Sequence, residues 1–125
     1  ATMKSEAQLF RAESYLALGK APEGVTDLQH LLSDKKTMYG AQANVRLAQY
    51  AYDTSQYQAA EQILQKFIDS GTTHQYWLAR AFILLSDVYM KTGREVEAKE
   101  YLLSLKSNYS GNDEINKMIK ERLEK

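Results

Sequence analysis

The sequence predicts an all-α fold, a right-handed stack of three helical hairpins closed by one further helix. Three observations carry that prediction. Hairpin signatures recur with small residues Gly24, Ala60 and Ala98 at equivalent points, 36 and then 38 residues apart. A period of roughly 20 to 50 residues marks a stacked-repeat architecture. The chain holds one proline and six glycines in 125 residues and is rich in Ala, Leu, Gln, Glu and Lys, which favours helix nearly throughout. Its apolar share of 44% suits a single packed domain rather than a disordered chain.

The breaks between elements set seven helices in order. Gly19-Lys20-Ala21-Pro22 ends a first helix (4–18) and opens a second (22–33), with glycine after the stop and proline in the opening turn. The polar stretch Ser33-Asp34-Lys35-Lys36 separates that hairpin from the next, and Asp53-Thr54-Ser55-Gln56 divides a helix over 37–53 from one over 56–69. Asp69-Ser70-Gly71-Thr72-Thr73 is a loop whose threonine can cap a helix over 73–92. Thr92-Gly93 turns the chain into a helix over 94–108. The segment 108–113 then leads to the last helix, 112–124. Short turns force antiparallel neighbours, so consecutive helices pair as hairpins over 4–33, 37–69 and 73–108.

Two helices have telling faces. The helix from His74 to Met90 is apolar nearly all round, as an inner helix covered on several sides must be. The last helix instead carries one stripe, Ile115, Met118, Ile119 and Leu123, with charged residues elsewhere. A stack needs such a terminal element with a polar outer face.

The third hairpin has the sharpest pattern. Phe82, Leu85-Ser86 and Tyr89 keep the spacing large, two between, large-small, two between, aromatic; Gly93 turns, and Ala98, Leu102 and Leu105 line the returning helix. This resembles the tetratricopeptide repeat. The second hairpin follows it with Leu47-Ala48, Tyr57, Ala60, Leu64 and Phe67, departing at Asn44 and Ala51. The first fits at Ala12, Tyr15, Gly19, Gly24, Leu28 and Leu31, and departs at Gln8 and Arg11. The family's closing proline is replaced by Lys36, Thr72 and Ser110, and the period exceeds the family's 34 residues. Within the family, the run from Leu78 through Ser86-Asp87-Val88-Tyr89 to Ala98-Lys99, then Asn108-Tyr109 and Asn112-Asp113-Glu114-Ile115, resembles the carboxy-terminal repeats of large Bacteroidetes tetratricopeptide proteins. The resemblance implies a right-handed α–α superhelix that forms part of a longer protein, and a bacterial envelope or periplasmic setting, with the cytoplasm as the alternative.

Composition narrows the chemistry. Lys plus Arg and Asp plus Glu are 16 each, and residues 1–36, 37–93 and 94–125 carry 5 and 5, 4 and 4, and 7 and 7. No basic stripe exists to neutralise phosphates, which argues against nucleic acid. The absence of cysteine excludes disulfides and thiolate chemistry. The longest apolar run, Ala81 to Leu85, is far short of the roughly 18 residues of a membrane span. His30 and His74 stand 44 residues apart without partners at metal-ligand spacing, and the isolated glycines form no phosphate loop. Asn108-Tyr109-Ser110 matches a glycosylation sequon, relevant only to a eukaryotic secreted protein. No enzyme, cofactor or metal site is expected.

The expected function is therefore to hold a protein or peptide. The family resemblance implies that the first helix of each hairpin lines a concave face. That places Glu6, Leu9 and Glu13 there from the first hairpin, Gln42, Val45, Gln49 and Tyr52 from the second, and Arg80, Ile83, Asp87 and Met90 from the third. The second and third sets are the expected partner-binding residues. Members that clamp carboxyl-terminal chaperone peptides use Lys, Arg and Asn on this face; here there is one arginine, so an apolar helix or extended segment is the better fit. Asp87 reads either as a groove-facing carboxylate or as a partner contact. Tyr39, Tyr50, Tyr52 and Tyr76 have no assigned packing duty, and at least one is expected to stay accessible. The chain is expected to be a monomer or weak homo-oligomer. The alternative reading is a structural carboxy-terminal portion of a longer repeat array with no partner of its own.

Overall fold

The computed structural model describes residues 2–32, 37–111 and 114–124. It is all-helical: α1 (Thr2–Ala17), α2 (Ala21–Leu31), α3 (Met38–Asp53), α4 (Tyr57–Asp69), α5 (Gln75–Lys91), α6 (Glu95–Asn108) and α7 (Ile115–Leu123). All seven expected helices are present, with no end shifted by more than three residues. The expected polar spacer at 33–36 and the expected start of the last helix at 112 lie outside the described residues.

Three hairpin turns share one geometry, which gives the recurrence in the sequence a physical basis. Gly19, Ser55 and Gly93 all adopt positive φ, at 78°, 63° and 80°. After each, an N–H reaches back across the helix end: Lys20 to the Tyr15 carbonyl at 2.8 Å, Gln56 to Ala51 at 2.7 Å, Arg94 to Tyr89 at 2.8 Å. Such a left-handed closure satisfies helix-end carbonyls. Lys20, Gln56 and Arg94 then open the second helices with nearly the same backbone, φ/ψ of −96/61°, −93/66° and −104/59°. Gly24, Ala60 and Ala98 follow one turn later, each donating its N–H to the carbonyl of that opening residue. Ser55 is the one non-glycine among the three left-handed positions, and serine pays a steric cost there that glycine avoids.

Small residues at 24, 60 and 98 are dictated by helix approach. A Cβ on Gly24 would stand 2.9 Å from Leu16 Cγ and 3.0 Å from the Ala12 carbonyl oxygen. Ala60 and Ala98 are fully buried. Paired helices cross there, and each first helix also packs on the first helix before it: α3 on α1, α5 on α3, α7 on α5. The apolar core runs along these contacts in three clusters. One gathers Leu9, Ala12, Leu28 and Leu31 with Ala43 and Leu47 of α3; a second joins α3, α4, α5 and Ala98; the third sets Ala79, Ile83 and Leu102 against Ile115 and Ile119.

The α5 start corrects one expectation. The threonine loop does not cap α5 directly: His74 is the residue before the helix, and the Thr72 hydroxyl accepts the His74 N–H at 3.2 Å. By contrast Thr37 does cap α3, its hydroxyl accepting the Gly40 N–H at 3.1 Å.

Residues that depart from the repeat pattern are tied up by polar contacts. Arg11 grips buried Asp27 with two hydrogen bonds, 2.8 and 2.6 Å, joining α1 to α2. Asn44, also buried, donates to the Gly40 carbonyl at 2.8 Å and the Leu32 carbonyl at 3.4 Å, linking α3 to the end of α2. Between the second and third hairpins, Arg94 holds Glu61 at 2.5 and 3.1 Å, with its guanidinium 4.2 Å above the Tyr89 ring.

These pairs should make the fold sensitive to acid. The Arg11 hydrogen bonds hold the Asp27 carboxyl below its usual range, outweighing burial, and Arg94 does the same for Glu61. A carboxylate whose folded pKa is depressed stabilises above its unfolded value, near 4, and loses that contribution as pH falls towards the folded value. Urea midpoints should therefore drop as pH is lowered from 6 to 3. Asp27→Asn with Glu61→Gln should lower stability at pH 6 and flatten the decline below pH 4. A decline as steep as in the wild type would show that the acid response arises elsewhere.

Candidate functional site

The expected groove residues separate into three groups once the helices are in place. Val45 and Ile83 are buried, at 4% and 1% exposure, so neither offers surface to a partner. Val45 joins the α3–α5 core, and Ile83 is sealed beneath Ile115 and Ile119 of α7. The reason is that α5 uses the face expected to be open as its docking face for the last helix. Leu9, from the first hairpin, is buried likewise.

Arg80 and Asp87 are occupied by that same helix. At its start, Arg80 Nη1 donates to the Tyr76 hydroxyl at 2.9 Å and lies 3.7 Å from the Glu114 carboxylate; Tyr76 donates to Glu114 in turn. The Arg80 guanidinium also sits 5.8 and 5.7 Å from the Tyr76 and Trp77 ring centres. At its end, Arg122 Nε and Nη2 donate to the two Asp87 oxygens at 2.8 and 2.9 Å. A planar guanidinium meeting a carboxylate in this two-pronged way fixes orientation as well as charge. Asp87 raises the Arg122 pKa through these bonds against the opposing effect of burial. Asp87 is thus a tether for α7.

The third group remains at the surface. Gln42 is half-buried on α3, and Gln49 Nε2 donates to Asp53 Oδ1 at 2.9 Å. Met90 is 48% exposed. Tyr52 packs edge-on against Tyr57, ring centres 5.5 Å apart, and burial together with nearby Asp87 pushes its hydroxyl pKa up. The four tyrosines without an assigned duty, Tyr39, Tyr50, Tyr52 and Tyr76, are all half-buried.

Tyr52, Asp87 and Met90 come together in one cleft of about 320 Å³. Ser86 and Lys91 of α5, Ala98, Lys99 and Leu102 of α6, and Arg122 of α7 complete it. Its floor is apolar and its rim carries two lysines. Neither lysine nor Arg122 was among the partner-binding residues expected from the sequence. A signal for Arg122 was present: it stands 38 residues after Leu84 and 76 after Arg46, which itself pairs with Glu13 at 3.0 Å. Extending the hairpin spacing into the last helix would have set Arg122 opposite Asp87, as Arg46 is opposite Glu13.

Among the described residues no cluster of three or more His, Asp or Glu is placed to hold a metal ion, and no helix is long and apolar enough to cross a membrane. What the cleft can do is take up an apolar side chain and present charge around it. Comparison with protein-family models, curated proteins and solved structures gave no match to this chain.

Proposed function

We propose that this chain is a tetratricopeptide-like interaction module that binds a protein segment without catalysis or cofactor. One observation carries the reading: Tyr52, Asp87 and Met90, which the family resemblance implies on one binding face, line a single cleft with an apolar floor. Clefts of a few hundred Å³ with a few convergent polar groups are the usual shape of a binding site. The repeated hairpin turns support a repeat scaffold, and the family resemblance supports partner binding in a bacterial envelope setting.

The alternative, a structural portion of a longer repeat array, draws on a different feature. Phe10 is 75% exposed on α1, whereas Leu84, equivalent to it by the 36- and 38-residue spacing, is buried against the preceding hairpin. A photo-crosslinking residue placed singly at Met90, Phe10 or exposed Gln58 distinguishes the readings in cells of the source organism. A discrete adduct at Met90 that disappears with Tyr52→Ala is the expected result. Adducts at Phe10 alone would favour the array, and equal labelling at Gln58 would remove the cleft from consideration.

A further inference from the structure

We draw no further inference here: the strongest candidate, the cavity of about 150 Å³ between α5 and α6 at the end of the third hairpin away from its turn, walled by Leu78 and Phe82 on one side and Tyr101 and Leu105 on the other, has nothing in the structure to show what occupies it.

Discussion

Phe67→Ala will destabilise the chain by about 3–5 kcal/mol, the range for emptying a buried aromatic site. Phe67 lies on α4 with no exposed surface, in the cluster that joins the second hairpin to α5. The cavity left behind cannot collapse easily, because its walls come from three helices already fixed by neighbouring contacts. For a chain of this size the melting midpoint should fall by roughly 10 °C or more. Val96→Ala serves as the control: Val96 is 71% exposed, and a surface change of that kind stays within about 0.5 kcal/mol. Thermal and urea melts of the two variants check the contrast. Similar losses in both would mean that α4 does not face the core as described.

The hairpins were legible in the sequence because each turn imposes a local chemical demand. A left-handed residue closes the first helix, and a small residue must follow one turn into the second; Gly19 with Gly24, and Gly93 with Ala98, announce both. Ser55 was legible only through its polar neighbours, since serine is not the usual residue for positive φ. Arg11 and Asn44 looked like failures of the pattern. They are polar solutions to the same packing problem, and their partners, Asp27 and the Leu32 carbonyl, are set by helix pairing rather than by adjacent sequence. The candidate site was half legible for a related reason. Helix periodicity places Val45, Tyr52, Ile83, Asp87 and Met90 along one side of α3 and α5, but it cannot say which part of that side a later helix will cover. The cover is decided by α7, through Ile115 and Ile119 on Ile83 and through Arg122 on Asp87.

Ending the chain at Gly111 will therefore have two coupled effects. The first is on stability. Ile115 and Ile119 are fully buried and Leu123 partly so, while Ile83, Leu102 and Ala79 lose their cover. Burial of a large aliphatic side chain contributes roughly 1.5–3 kcal/mol as an upper figure. Releasing nine helical residues returns backbone entropy that offsets much of this sum. A net loss of about 2–4 kcal/mol is expected, with new dye-binding apolar surface and a tendency to associate. The second effect is on the site. Without Arg122, Asp87 becomes a free carboxylate beside Lys91 and Lys99, and the cleft loses one wall. Crosslinking of a partner through Met90 should weaken, because the cleft is then incomplete. Arg122→Gln isolates this second effect, since Ile115 and Ile119 remain seated: it should cost less stability than truncation yet weaken the Met90 crosslink comparably. Melting curves, elution profiles and Met90 crosslinking on the two variants decide the matter. An unchanged melt after truncation would make α7 a loose tail, and an undiminished Met90 crosslink in Arg122→Gln would show that pairing Asp87 is a matter of folding alone.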